Sequence, residues 1–230
     1  MRTFGGTTIR ISLVAALLTG AGLTVSSVIA APAAFNAAGS ARQVYATGVP
    51  GGSAVTLLDS TGATVATETA DAQGGVLFRN VTPGDGYRVE QADGTTSTPV
   101  TVHTEDAAPW DPSVYNQTIP DHGYGYLTTR DGTKLALRVW LPSELGGAEG
   151  TPGVSLPAGP AYSAPYPTLV EYSGYGYANP DGPDSGIAAL ANIMGFAVVD
   201  VSMRGTGCSG GAFDFFEPLQ SLDGYDVVET

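Results

Sequence analysis

The sequence holds one cysteine, two histidines and only nine lysines and arginines in 230 residues. A lone Cys208 cannot close an internal disulfide, so the fold must rest on its packed core. As a nucleophile Cys208 would need a nearby histidine, yet His103 and His122 stand far upstream in loop-like sequence, so it reads as structural or incidental. The nine cations face 22 acids, for a net charge of −13 and a pI near 4.2. Such a surface repels phosphate backbones and excludes general nucleic-acid binding. Charged residues are only 13% of the chain, where roughly a quarter is usual. The acidity thus reflects scarce cations and is no signature of disorder. No sustained heptad pattern is present, which excludes a coiled coil. What is plentiful is punctuation: 32 glycines and 16 prolines point to many turns and loops.

The first residues form a separate unit. Arg2 and Arg10 flank a short polar start, an apolar run follows from Ile11 to Ile29, and small residues recur at Ala30, Ala31, Ala33 and Ala34. A basic start, an apolar middle and an Ala-x-Ala-like site are the parts of a secretory signal. Ala31-Pro32-Ala33 predicts a signal peptide over 1–33 and a secreted product, with cleavage after Ala30 as the close rival. A membrane anchor is the alternative, since the run nearly reaches the ~20 residues needed to span. Its glycines and threonines and the missing basic stop-transfer flank favour cleavage, leaving no stable membrane anchor. Without Arg2 and Arg10 the remainder carries 7 cations against 22 acids, or −15.

Residues 40–104 read as a small all-β, sandwich-like module. Runs at Gln43–Ala46, Ala54–Leu58, Thr64–Glu68, Gly75–Arg79, Tyr87–Gln91 and Pro99–His103 alternate with Gly- and Asp-rich turns at roughly 10-residue spacing. Val55, Leu57, Val76 and Phe78, with Val65 a further candidate, supply the inward positions. About 60 residues is marginal for an independent core, so docking on a neighbour is expected. No exposed aromatic cluster marks a ligand face in this module, which favours a spacer or docking role over carbohydrate binding. Asn80-Val81-Thr82 and Asn116-Gln117-Thr118 match the glycosylation sequon and suggest surface loops. Residues 105–122 carry Pro109, Pro112 and Pro120 without periodicity and read as a linker. Its Trp110 and Tyr115 are expected to pack on a domain surface.

Residues 123–230 change character. Asp131-Gly132 between two β-rich runs predicts a hairpin, and Leu135, Leu137, Val139 and Leu141 alternate as in a half-buried strand. Pro167–Tyr172 forms a strand ending at Ser173-Gly174-Tyr175-Gly176-Tyr177. Ile187, Leu190 and Met194 share one face of a helix. Phe196–Val201 is an almost continuous apolar run, as suits a buried parallel strand. A glycine-rich loop follows, and Leu222 to Thr230 begins another helix.

This order suits the start of an α/β-hydrolase sheet, and the residues resemble a known group. The matching stretches are Asp131-Gly132-Thr133-Lys134-Leu135 to Leu141-Pro142, then Pro167-Thr168-Leu169-Val170 with Tyr175. Asp200-Val201-Ser202-Met203-Arg204-Gly205-Thr206-Gly207-Cys208-Ser209-Gly210-Gly211 and Asp223-Gly224-Tyr225-Asp226-Val227-Val228-Glu229 complete the set. Together they resemble the Xaa-Pro dipeptidyl-peptidase and CocE/NonD serine hydrolases, over about 123–230 and their N-terminal portion only. The fold class implied is α/β, an incomplete α/β-hydrolase core preceded by the small all-β module. The resemblance implies acyl transfer to water by a Ser-His-Asp triad, with a peptide or small ester or amide as substrate and no cofactor or metal. It further implies that Tyr175 supplies an oxyanion-hole hydroxyl, since a phenol aimed at a developing alkoxide stabilises the tetrahedral state.

Gly205-x-Gly207-x-x-Gly210 after a strand formally matches a dinucleotide fingerprint, but no helix opens on its glycines and no Walker lysine is present. The loop reads as a tight turn, with Arg204 expected to pair with Asp200 or Asp214. Gly207-Cys208-Ser209-Gly210-Gly211 is the one formal nucleophile-elbow pattern. Ser209 lies eight residues past Val201, one strand too early, with no histidine after it. Finishing a helix and adding a strand would put an elbow roughly 15–20 residues past Thr230. The expectation is that the triad and the C-terminal half of this domain are missing, leaving these 230 residues catalytically inactive. A secreted binding or scaffold protein with a degenerate hydrolase half is the alternative. Peptidase and esterase specificity are not separable on the sequence.

Overall fold

A computed structural model describes residues 35–142, 160–176, 178–180 and 186–230. The signal expected over 1–33 lies outside them, as does Tyr177. The described residues are rich in sheet and carry few helices.

Seven short strands come first: β1 (Asn36–Ser40), β2 (Gln43–Thr47), β3 (Ala54–Leu58), β4 (Thr64–Thr69), β5 (Val76–Phe78), β6 (Gly84–Gln91) and β7 (Val100–Val102). They form two antiparallel sheets, β1-β2-β5 and β4-β3-β6-β7. Sequence dictates the turns. Asp59 accepts the backbone N–H groups of Thr61 and Ala63 at 2.8 and 2.9 Å, and Asp71 does the same for Gln73 and Gly75 at 2.8 and 2.9 Å. Each aspartate thus mimics a backbone turn and reverses the chain where the sequence places Asp before Gly.

Both sheets bury one face in a shared core of Val44, Val55, Leu57, Phe78, Val89 and Val102. At roughly 1.5–3 kcal/mol per buried aliphatic or aromatic side chain, this cluster is the module's main stabilising term. Val65 differs from the expected inward position: it is 46% exposed, because β4 is an edge strand with no buried residue. β1 has no counterpart in the sequence pattern. It lies close enough to β7 that a Cβ on Gly39 would run into the Thr101 carbonyl oxygen.

A third sheet holds β8 (Gly123–Thr128), β9 (Lys134–Trp140), β10 (Thr168–Ser173) and β11 (Ala197–Ser202), in the order β10-β11-β9-β8. β8 and β9 are the expected hairpin, β9 runs antiparallel to β11, and β11 runs parallel to β10. Helices α1 (Gly186–Ile193) and α2 (Pro218–Glu229) cover it. On one face Leu127, Leu135, Leu137, Val139 and Val201 pack against Val227 of α2. On the other, Trp140 and Val198 pack against Ala188 of α1.

One expectation is corrected here. β9 is buried on both faces, with Ala136 fully enclosed and Trp140 only 8% exposed, because α1 closes the second face. Ile187 and Leu190 of α1 and Met194 just past its end are all exposed. The small Ala188 and Ala189, together with Asn192, face inward. Asn192 Nδ2 donates to the Leu141 carbonyl at 2.6 Å, tying the helix to the end of β9.

The β-module docks on this sheet through polar contacts. Ser40 Oγ donates to Asp131 Oδ2 at 2.7 Å, Gln43 Nε2 donates to Glu217 Oε2 at 2.7 Å, and Arg79 Nε sits 3.1 Å from Asp214 Oδ2. The connecting stretch lies packed, as its aromatics predict. Trp110 rests against Ala41, Leu219 and Leu222 and stacks on His103 at 3.8 Å. The Tyr115 hydroxyl, in a 3-10 turn over Pro112–Asn116, donates to Asp226 Oδ1 at 2.7 Å.

Candidate active site

The parallel pair β10 and β11 brings two loops together at its carboxyl end. After β10 come Gly174, Tyr175 and Gly176; after β11 comes the stretch from Met203 to Glu217. Met203 N donates to the Ser173 carbonyl at 2.9 Å and joins the two loops. Tyr175 sits on a tight turn whose backbone N–H donates to Ser173 Oγ at 3.0 Å, and it is 86% exposed. Gly176 follows with φ 75, in the left-handed region where a side chain would be strained.

Beneath these loops lies a buried ion cluster. Arg204 Nε meets Asp223 Oδ2 at 2.5 Å and Arg204 Nη2 meets Asp223 Oδ1 at 2.6 Å, a two-pronged pair that only a guanidinium can make. Arg204 Nη1 reaches Asp131 Oδ2 at 3.1 Å. Asp131 also accepts the hydroxyls of Ser40 and Thr129. One arginine therefore fastens the β8–β9 turn, the β11 loop and α2. Burial would raise the Asp131 carboxyl, but Arg204 and the hydroxyl donors outweigh it and hold the group at about 2. Asp223 differs: burial pushes it up to about 6, against the pull of Arg204 and with help from the Asp131 charge. Both carboxylates are ionised at neutral pH, as the pairing geometry requires.

This corrects the partners expected for Arg204. Asp200 instead accepts the Trp140 indole N–H at 2.8 Å, and Asp214 pairs with Arg79. Short sequence separation suggested the local carboxylates; the fold supplies ones 73 and 19 residues away. A second pair repeats the design. Arg130 Nη2 lies 2.7 Å from Asp226 Oδ1, and Asp226 also accepts the Arg130 backbone N–H at 2.9 Å. Burial and the Asp226 carboxylate push the Tyr115 phenol up to about 12. These pairs order the scaffold and contain no nucleophile.

Ser209 has its hydroxyl committed. Its Oγ donates to the Ser202 carbonyl at 2.6 Å and accepts the Ala136 backbone N–H at 2.9 Å. That stitches the loop across β9 and β11, as expected of a structural serine. Cys208 is exposed and unbridged. Burial drives the Tyr124 phenol upward. His103 is occupied in stacking on Trp110. Among the described residues no group of three or more His, Cys, Asp and Glu could hold a metal ion, and no helix is long and apolar enough to cross a membrane. A cleft of about 460 Å³ separates the β2 and β5 surface from the glycine loop, lined in part by Tyr45, Gln73, Lys134 and Gly211. Tyr175 is not part of that lining.

The sequence reading passed over three residues, Phe213, Phe215 and Phe216. They are 42%, 73% and 88% exposed, and Phe213 lies against Gly174 of the Tyr175 turn. Three phenylalanines within four positions, between Gly210-Gly211 and Pro218, were the available signal.

Residues 131–229, a little under half of the chain, match the family model of X-Pro dipeptidyl-peptidase (S15 family). The resemblance carried by the Arg-Gly-Thr-Gly loop and the Asp-Gly-Tyr-Asp helix is thus borne out over those residues. No curated protein matches the chain. A solved CocE/NonD family hydrolase from Staphylococcus aureus is 20% identical, with a TM-score of 0.34, and the match covers 46% of this chain and 19% of that one. The BSP domain of a biofilm associated protein is 15% identical, with a TM-score of 0.25, covering 54% of this chain and 22% of that one. The chain therefore spans about a fifth of the length of these solved proteins.

Proposed function

We propose that these residues belong to an exported serine hydrolase of the Xaa-Pro dipeptidyl-peptidase or CocE/NonD type. It would transfer the acyl group of a peptide, ester or amide to water. The observation that carries the reading is the family match over 131–229, which spans the Arg204 loop and α2. The sheet order β8-β9-β11-β10, with one helix on each face, supports an α/β-hydrolase core.

In this reading Tyr175 donates its hydroxyl to the developing oxyanion. Its place after β10, at the carboxyl end of a parallel strand pair, is where α/β sheets assemble ligand sites. The nucleophile, acid and histidine are not among the described residues. Ser209 fastens its loop, with its hydroxyl committed to the Ser202 carbonyl and the Ala136 N–H.

The test is labelling with a fluorophosphonate probe of the complete gene product and of these 230 residues, with the labelled residue mapped by mass spectrometry. The reading expects a single labelled serine in the former and none in the latter. Labelling of Ser209, or of no serine in either, would overturn it.

A further inference from the structure

The cleft of about 460 Å³ between the β-module and the β8–β11 sheet has walls that the strand pattern explains. Tyr45 of β2 pairs with Leu77 of β5, one position out of step with the Val44–Phe78 pair that fills the core. Side chains alternate along a strand, so Tyr45 and Leu77 share the outward face and form an apolar floor to the cleft. The facing wall is Thr133 and Lys134 at the start of β9, with Gly210, Gly211 and Ala212 from the loop after β11. Both walls are fixed in place. The Ser40–Asp131 and Gln43–Glu217 bonds, each 2.7 Å, join the module to the sheet. Gly210 N donates to the Lys134 carbonyl at 2.8 Å and fastens the loop to β9.

Polar groups along these walls nevertheless lack partners. Thr133 is 8% exposed, and its hydroxyl makes no hydrogen bond among the described residues. The Tyr45 hydroxyl makes none there either, and burial, reinforced by the Asp131 charge, pushes its phenol up, so it remains a donor. Enclosed polar groups of this kind call for a partner from outside the chain. The charges point the same way. Lys134 has no carboxylate within pairing distance among the described residues, whereas Arg79, Arg130 and Arg204 each have one. On the module side, Asp71 spends Oδ1 on its turn, accepting the N–H groups of Gln73 and Gly75. Its Oδ2 stays unbonded, close to where Gly75 lines the cleft.

We propose that the cleft binds a short peptide with both ends free, about two residues long. Lys134 takes its carboxylate, Asp71 its ammonium group, and the floor of Tyr45 and Leu77 an apolar side chain. The Thr133 and Tyr45 hydroxyls serve its peptide group. A free charge of each sign beside an apolar floor selects such a ligand. An anion without an ammonium group would face Asp71 unpaired, and a wholly apolar ligand would strip water from Lys134 and both hydroxyls without replacing it. The volume lies in the range of small-ligand sites. Tyr175 is not in the lining, so the cleft is a second site and does not depend on the hydrolase reading.

The test is calorimetric titration of the complete gene product with L-alanyl-L-leucine, after fluorophosphonate treatment so that a hydrolase active site cannot account for the uptake. Saturable binding is expected. Acetylating the amino end of the probe, or amidating its carboxyl end, should each weaken it about ten-fold, as befits the loss of one charge-assisted contact. Lys134→Met should lower affinity for the free dipeptide by a similar factor and abolish the preference for the carboxylate over the amide. Asp71→Asn should do the same for the amino end, since an asparagine oxygen can still hold the turn. Thr133→Val should weaken binding about three-fold at an unchanged Tm, because its hydroxyl serves no bond within the chain. Absence of saturable binding, equal binding of the doubly blocked probe, or unaltered affinity in Lys134→Met would overturn the proposal. Failure of the hydrolase reading would appear instead as a protein the fluorophosphonate does not label, with these affinities intact.

Discussion

Arg204 and Asp223 face each other across the β11 loop and α2 in a buried, two-pronged pair, with Nε–Oδ2 at 2.5 Å and Nη2–Oδ1 at 2.6 Å. The third guanidinium nitrogen holds Asp131, so two carboxylates depend on one cation. Removing it leaves both charges enclosed. Arg204→Met should destabilise the fold by about 3–5 kcal/mol in urea unfolding. Arg204→Lys should recover part of that, since it keeps the charge but loses the fork. A loss below about 1 kcal/mol for Arg204→Met would contradict the assigned role.

The same cluster sets an acid response. The Asp131 carboxyl sits at about 2, below its ordinary value of 3.8. A depressed carboxyl contributes stability that is present above its unfolded pKa and lost as pH falls through the folded one. Wild type should therefore lose about 2 kcal/mol between roughly pH 5 and pH 2 on account of this group. Asp131→Asn should remove that part of the slope. Asp223, raised to about 6 by burial, works oppositely: its contribution is present below the unfolded value and fades as pH rises through 6. Denaturant unfolding of wild type and variant across pH 2 to 8 reads both effects.

Ser209 gives a prediction that separates scaffold from chemistry. Ser209→Ala deprives the buried Ala136 N–H of its acceptor. Stability should fall by about 1–3 kcal/mol, the cost of an unsatisfied buried donor. Fluorophosphonate labelling of the complete gene product should be unchanged.

Gly39 tests the first strand. A side chain there would meet the Thr101 carbonyl oxygen of β7, so Gly39→Ala should cost about 1–3 kcal/mol through overpacking. Faster backbone hydrogen exchange in Asn36–Ser40 would check that the loss begins at β1.

Much of the fold was legible in the sequence where chemistry is local. Asp59 and Asp71 marked their turns because a short carboxylate bonds to the backbone two residues on. β9 and β11 showed through their aliphatic runs. β1 did not, since Asn36, Ala37, Ala38, Gly39 and Ser40 have no β-forming side chains, and β2 and β7 impose the extended form. α1 could be read as a helix but not oriented, because small residues pack it against the sheet while Ile187, Leu190 and Met194 remain outside. The motif around Arg204 was visible, yet its partners were not, since Asp131 and Asp223 are brought in by sheet order. Tyr175 was singled out by resemblance alone.

The residues before Phe35 carry a separate expectation, read from sequence alone: a secretory signal over 1–33. Mass spectrometry of protein from the culture medium should find a mature N-terminus at Ala34, or at Ala31 for cleavage after Ala30. An intact Met1 in exported material would refute it.

The proposed hydrolase chemistry is tested most directly by comparing Tyr175 with Tyr175→Phe in the complete gene product, using an activated ester as substrate. The reading predicts a fall in kcat of about 100- to 1000-fold, the cost of one oxyanion donor, with KM little changed and fluorophosphonate labelling still confined to one serine. Unaltered kcat in Tyr175→Phe, or an enzyme labelled at Ser209, would contradict it.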